Sequence, residues 1–221
     1  MTRNRMPLRV ARLALLTLGF SPLSLFAQDN YGGYPAQPAP SQPAPPTASR
    51  PVPAPPAAGA ADLDQLMQVE RQDFGVPPTT ELHAGAMHGP TPSTIPGGQV
   101  ITTKGLVALL GGQQVHALLF DILGGQEMIP GALTAVPASQ AGTFSDRTQQ
   151  EFGQFLQQKT QGNKETPLVF YCLSSHCWMS YNASLRAINM GFKNVLWYRG
   201  GIEAWKAAGQ QVQSAGQTGG Q

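Results

Sequence analysis

Cys172 and Cys177 are the only cysteines of this 221-residue chain, and His176 precedes the second directly. Two sulfurs five positions apart admit four kinds of chemistry. In the first, Cys172 is a nucleophile that takes up sulfane sulfur as a persulfide. The N–H groups of Leu173, Ser174 and Ser175 then cradle an anionic donor, and Arg199 or Arg186 supplies positive charge. In the second, the pair exchanges electrons as thiol and disulfide, with Cys177 resolving and His176 acting as acid, base or thiolate stabiliser. In the third, a Cys172–Cys177 disulfide staples a short loop, with an entropic contribution at the small end of the range, roughly 2 kcal/mol. In the fourth, Cys172, His176 and Cys177 offer soft ligands to a metal; three ligands from one loop, with none supplied elsewhere, make this the weakest, and no metal or other cofactor is expected.

The flanking residues predict how the cysteines are positioned. Leu168, Val169, Phe170 and Tyr171 run straight into Cys172, which suits a buried strand delivering a side chain to a crevice at its C-terminal end. Beyond Cys177, the residues Trp178, Tyr181, Leu185 and Ile188 recur at helical spacing, and Gly191 supplies a stop. A cysteine is thereby placed under a helix N-terminus, where unpaired N–H groups and the positive dipole end favour a thiolate. Arg199 follows a last apolar strand and falls at the same sheet edge; the competing reading is an exposed surface arginine. Trp178 and Tyr181 adjoin the loop and either wall a small pocket or pack as an amphipathic face.

This order of strand, cysteine, loop and helix resembles the active-site half of a rhodanese-like domain. Gly191, Phe192, Asn194 and Val195 match the family's Gly-Phe-x-Asn-Val, and Gly200, Gly201 and Trp205 match its Gly-Gly-x-x-x-Trp. Upstream, Phe120, Asp121 and Ile122 resemble its second strand ending in Asp, Ile129 to Ala132 match its Ile-Pro-Gly-Ala turn, and Val100 to Gly112 resemble its opening strand and helix. The resemblance implies an α/β fold with a central, mostly parallel sheet flanked by helices. It implies sulfurtransferase activity at Cys172, with Trp178 and Asp121 among the substrate-binding residues beside the loop, and a small sulfur-containing anion or a protein thiol as partner. One departure bears on mechanism: the family commonly carries Cys-x4-Arg, and here Cys177 occupies the place of the arginine. The Cys177-Trp178 pair resembles a secreted subgroup named for a CxxCW motif and associated with PQQ-dependent alcohol catabolism, although the spacing here is Cys-x4-Cys-Trp. That likeness implies a periplasmic quinoprotein dehydrogenase system as partner. Rhodanese-like folds with altered loops also serve as noncatalytic binding modules. The missing arginine points that way and the retained Cys172 points back, so enzyme and binding module both stay open.

Arg3, Arg5, Arg9 and Arg12 followed by the apolar run Leu13 to Ala27 predict a secretory signal peptide over residues 1–27, and hence a periplasmic or secreted protein without stable membrane insertion after cleavage. Those residues hold four arginines and no acid, so the formal charge of +2 becomes +2 − 4 = −2 without them. With no other basic cluster, nucleic acid is not an expected partner. Ten of the twenty prolines lie between Pro35 and Pro56, which predicts an extended, disordered linker over 28–60. The expected organisation continues with an N-terminal helix and extended wrap over 61–98, the domain over 99–209 and a disordered Gln/Gly-rich tail over 210–221. His83 and His88 lie in the wrap, without the further ligands that a metal site needs.

Overall fold

The computed structural model describes residues 61–112 and 116–216; the expected signal peptide and linker, and the last residues of the tail, lie outside the described residues. The elements are helix α1 (Leu63–Glu70), strand β1 (Gln99–Ile101), helix α2 (Thr103–Gly111), and strands β2 (Leu118–Asp121), β3 (Glu127–Met128) and β4 (Leu133–Thr134). A 3-10 turn (Val136–Ser139) leads into helix α3 (Arg147–Thr160), strand β5 (Leu168–Tyr171), helix α4 (Met179–Asn189), strand β6 (Val195–Tyr198), helix α5 (Gly201–Ala207) and strand β7 (Gln213–Ser214). Five strands form one sheet in the order β1-β6-β5-β2-β4, every neighbouring pair parallel. β3 and β7 make a separate antiparallel ribbon.

Alternation along the strands sends side chains to two covered faces, as a parallel sheet requires. Phe120, Leu168, Phe170 and Val195 meet Phe152 and Leu156 of α3 and Ala183 and Ala187 of α4. On the opposite face, Leu119, Val169, Tyr171 and Tyr198 meet Leu106 of α2 and Ile202 and Trp205 of α5. All four residues of β5 are buried, because this central strand is covered on both sides. A third cluster joins Trp178, Tyr181 and Leu185 of the α4 region to Trp197 and Ile95, with Leu82 and Met87 of the N-terminal segment packed on it. Gly191, at φ +84°, ends α4; its N–H donates to the Ile188 carbonyl and the Phe192 N–H to that of Ala187.

Arg186 joins the two helices on the first face. It is fully buried in α4 and forks onto Asp146, Nη1 to Oδ1 at 3.0 Å and Nη2 to Oδ2 at 2.9 Å. It also donates to the carbonyls of Gln140 and Thr143. Asp146 in turn caps α3 by accepting from the Gln149 N–H at 2.7 Å. Arg186 is therefore a fastener between α3 and α4. The hydrogen bond from Arg186 lowers the Asp146 pKa from 3.8 to about 2. Because the folded-state value is the depressed one, this contribution is complete above 3.8 and disappears as the pH falls through about 2. Asp146→Ala is expected to cost roughly 3 kcal/mol at neutral pH by stranding a buried guanidinium. Denaturant unfolding should show the gap to wild type shrinking over that acidic window; a gap independent of pH would disprove the coupling.

Candidate active site

Strand β5 ends at Tyr171 and hands the chain to Cys172, whose Sγ is bonded to that of Cys177 across a Cα–Cα distance of 6.4 Å. That separation lies within the range a disulfide bridges. Two contacts fix the start of the loop. The Cys172 carbonyl accepts from the Ile202 N–H at 3.0 Å and the Leu173 carbonyl from the Glu203 N–H at 3.1 Å, so the first turn of α5 sits directly on the end of β5. A Cβ on Gly201 would collide with the backbone of Leu173, and its φ of +64° is one that side-chain-bearing residues rarely adopt. The loop then folds as a turn, with the Cys177 N–H donating to the Ser174 carbonyl at 3.1 Å and the His176 N–H reaching Ser174 Oγ at 3.4 Å.

The N-terminal segment lies across this loop. His88 forms an antiparallel bridge with Cys177. The Trp178 N–H donates to the Met87 carbonyl and the Gly89 N–H to the His176 carbonyl, both at 2.8 Å, while the Thr91 hydroxyl donates to the Ser175 carbonyl at 2.7 Å. His83 stacks on Trp178 with ring centroids 4.1 Å apart, and its backbone N–H and carbonyl are both held by the side chain of Asn182. The sulfurs are consequently covered: Cys172 is 1% exposed and Cys177 0%.

The structure distributes the remaining sequence-identified residues unevenly. Ser174 and Ser175 are half-buried at the loop, while His176 is exposed, hydrogen-bonds Ser175 Oγ through Nδ1 at 3.3 Å and leans on Phe74. No hydrogen bond joins its ring to either sulfur. Of the loop N–H groups, those of His176, Cys177 and Trp178 are engaged within the protein. Trp178 is buried between His83 and Tyr181. Asp121 ends β2 beside Tyr171, and its Oδ1 accepts from the N–H groups of Leu123 at 2.9 Å and Gly124 at 3.3 Å. Burial raises its pKa, partly offset by those two donors. It shapes the turn that leads to Glu127.

Arg199 differs from both readings of the sequence, for it is neither exposed nor free to hold an anion. It is 1% exposed, and its guanidinium donates to the carbonyls of Glu70, Gln72 and Thr91 and to the Thr91 hydroxyl, at 2.6 to 3.1 Å. Phe74 covers its face at 4.7 Å. The side chain is a clamp on the N-terminal segment.

Ser180 carries a role that sequence reasoning missed. In the first turn of α4 and 1% exposed, its Oγ lies 3.2 Å from Cys172 Sγ and accepts from Trp197 Nε1 at 3.0 Å. An indole N–H only donates, so Ser180 receives that bond and directs its own hydrogen at sulfur. The one signal in the sequence is position, since the first turn after the loop is where a hydroxyl meets the end of β5. In the reduced protein this bond favours the Cys172 thiolate, at about 1 kcal/mol for a buried hydroxyl donor. Ser180→Ala is therefore expected to slow alkylation of reduced Cys172 about threefold at neutral pH, part of the effect being offset by higher intrinsic nucleophilicity. Ser180→Thr should restore the rate, and equal rates for the alanine variant and wild type would show that the hydroxyl does not act on sulfur.

Residues 102–208 match the family model for the rhodanese-like domain. No curated protein matches the chain in sequence. Among solved structures, the chain is similar to a thiosulfate sulfurtransferase from Pseudomonas aeruginosa, at 21% identity and a TM-score of 0.40. That alignment covers 52% of this chain and 20% of the Pseudomonas one, so the chain spans about a fifth of that relative's length. It is also similar to a rhodanese-like domain from Anabaena sp., at 16% identity and a TM-score of 0.38, covering 53% of this chain and 80% of the other. A possible tyrosine phosphatase from Rhodopseudomonas palustris gives 22% identity and a TM-score of 0.38, over 52% of this chain and 83% of the other. The five-stranded parallel sheet, the cysteine at the end of its central strand and the family match agree: residues 102–208 are a rhodanese-like domain.

Proposed function

We propose that this domain performs thiol or sulfane-sulfur chemistry at Cys172, with Cys177 as resolving thiol, in an oxidising compartment outside the cytoplasm. The observation that carries the reading is the placement of the pair. Cys172 and Cys177 are bonded at the C-terminal end of β5, and a hydroxyl oriented by Trp197 is aimed at Cys172 Sγ. The cycle balances as follows. The reduced Cys172 thiolate attacks the outer sulfur of a persulfide or polysulfide, forming the Cys172 persulfide and releasing the donor's thiolate. The Cys177 thiolate then attacks Cys172 Sγ, closing the disulfide and expelling the sulfane sulfur as sulfide. An external thiolate reopens the disulfide through a mixed disulfide, which a second thiol resolves. The Cys177-Trp178 pair supports a quinoprotein dehydrogenase system as the setting for this exchange.

A second reading rests on the burial of both sulfurs beneath residues 82–91: a binding module whose disulfide is structural. Intact-mass measurement on the reduced protein after polysulfide treatment separates the two. Under the first reading wild type gains one sulfur that is then discharged as the disulfide forms, Cys177→Ser retains the added sulfur, and Cys172→Ser gains none. A protein that takes up no sulfur, and whose disulfide yields to reductant only on unfolding, is the binding module. The same spectra test export: the protein recovered from the periplasm or medium should begin at Gln28, and an uncleaved N-terminus would count against the proposed compartment.

A further inference from the structure

The segment over the loop is fastened at two posts and touches the disulfide loop between them. The first post is His83, whose N–H donates to Asn182 Oδ1 at 2.8 Å, whose carbonyl accepts from Asn182 Nδ2 at 2.9 Å and whose ring stacks on Trp178. Just upstream, the Tyr181 hydroxyl accepts from the Thr79 N–H and donates to the Thr79 carbonyl. The second post is Thr91, fully buried, with Arg199 donating from Nε to its hydroxyl at 3.1 Å and from Nη2 to its carbonyl at 3.0 Å. Between the posts, residues 84–90 reach the domain through two hydrogen bonds among the described residues. The Gly89 N–H donates to the His176 carbonyl, and the Met87 carbonyl accepts from the Trp178 N–H. Both partners flank Cys177, with His88 directly opposite it. The Met87 side chain adds one apolar contact, to the Trp178 cluster, while Ala84, Gly85, Ala86, His88 and Pro90 are exposed. These few attachments depend on where Cys177 is held. Cys172 is fixed by β5 and by the Ile202 N–H, and the bond between the sulfurs passes that constraint to Cys177.

We infer that residues 84–90 form a redox-gated flap, closed over Cys177 while the disulfide is intact and released between its two posts when the pair is reduced. The inference rests on the proposed cycling of Cys172 and Cys177 between disulfide and dithiol, and it adds that the reduced thiols meet a sulfur donor with the flap open. The physical reason is the ordering of the loop. In the oxidised chain the disulfide has already ordered the residues onto which the flap docks; in the reduced chain the flap must order them itself, with two hydrogen bonds and one apolar side chain. Linkage makes the effect reciprocal, so the closed flap favours the disulfide by the factor by which the disulfide favours closure. The switching reaction is exchange with a dithiol. One of its thiolates attacks a sulfur of the Cys172–Cys177 bond, that bond breaks and the displaced cysteine leaves as a thiolate. The second thiol of the reductant then closes its own disulfide and expels the other cysteine, so two electrons and two protons pass from the dithiol to the pair.

The test is amide hydrogen exchange, resolved by NMR, on the full chain before and after reduction with dithiothreitol. Reduction is expected to speed exchange at Gly89 and Trp178 about tenfold or more, and at the post amides Thr79 and His83 by less than about threefold. The reciprocal arm measures the rate of reduction under native conditions. Met87→Ala and Gly89→Pro, which weaken the flap and leave both posts in place, should be reduced about fivefold faster than wild type. Asp146→Ala, destabilised on the α3 side of the sheet, should keep the wild-type rate. Unchanged exchange at Gly89 and Trp178, equal acceleration at the posts, or flap variants reduced no faster than wild type would each overturn the gate alone. Reduction that speeds up as much in Asp146→Ala as in the flap variants would mean that the disulfide opens only by global unfolding, which overturns the thiol-chemistry reading and the gate with it.

Discussion

A guanidinium removed from water must find acceptors for its N–H groups, and the cost of leaving them unmet is several kcal/mol. Arg199 sits in that position at the edge of the sheet, with burial pulling its pKa down. Its acceptors come from Glu70, Gln72 and Thr91, more than a hundred residues earlier in the chain. Satisfying this one group therefore dictates that the chain from the end of α1 to Thr91 returns to the loop after β6. Once Thr91 is there, its hydroxyl reaches Ser175, Met87 and Gly89 pair with the backbone around Cys177, and the sulfurs are covered. The same commitment occupies the Arg199 guanidinium, leaving it none of its hydrogen-bonding fork to offer a ligand at the loop. Coverage of the disulfide and the withdrawal of Arg199 from the loop surface are two results of a single electrostatic requirement.

From the opposite side the loop is held by α5. The Gly200-Gly201 pair lets the helix start close against Cys172 and Leu173, and the N–H groups of Ile202 and Glu203, which a helix N-terminus leaves without intrahelical partners, bond the end of β5. This is also what sets Glu203 beside the loop: a residue in the first turn of a helix capped onto a strand end has no freedom to lie elsewhere. Ser180 completes the enclosure from α4, where the indole of Trp197 in β6 determines which way its hydrogen points.

The parts of this arrangement legible in the sequence are those encoded locally. An apolar run into Cys172, a helical spacing after it, and glycines at 191 and 201 whose positive φ is used to stop one helix and seat another are all short-range signals. They sufficed for the α/β fold and its parallel sheet. The illegible parts are long-range. Nothing near Arg199 marks it as a buried clamp, because an arginine after an apolar strand has the same composition whether it meets solvent or three carbonyls. The segment from Gly75 to Gly98 has no periodicity, since it gains its order from hydrogen bonds to the loop and from His83 stacking on Trp178, contacts between residues more than eighty positions apart. Ser180 was hidden for a different reason: its significance depends on the direction of a hydrogen, which only the Trp197 contact reveals.

The cover over the disulfide lies N-terminal to the matched domain, within the same polypeptide. Its opening is therefore a first-order event whose equilibrium does not depend on protein concentration, and the apparent reactivity of the sulfurs is their intrinsic reactivity multiplied by the fraction of time the segment is displaced. Each contact that steadies the segment, from the Thr91 hydroxyl to the His83 stack, lowers that fraction by the factor it adds to stability. The chain thus ties its resistance to unfolding and the accessibility of its disulfide to the same few side chains, and a change in one of them moves the two quantities in opposite directions.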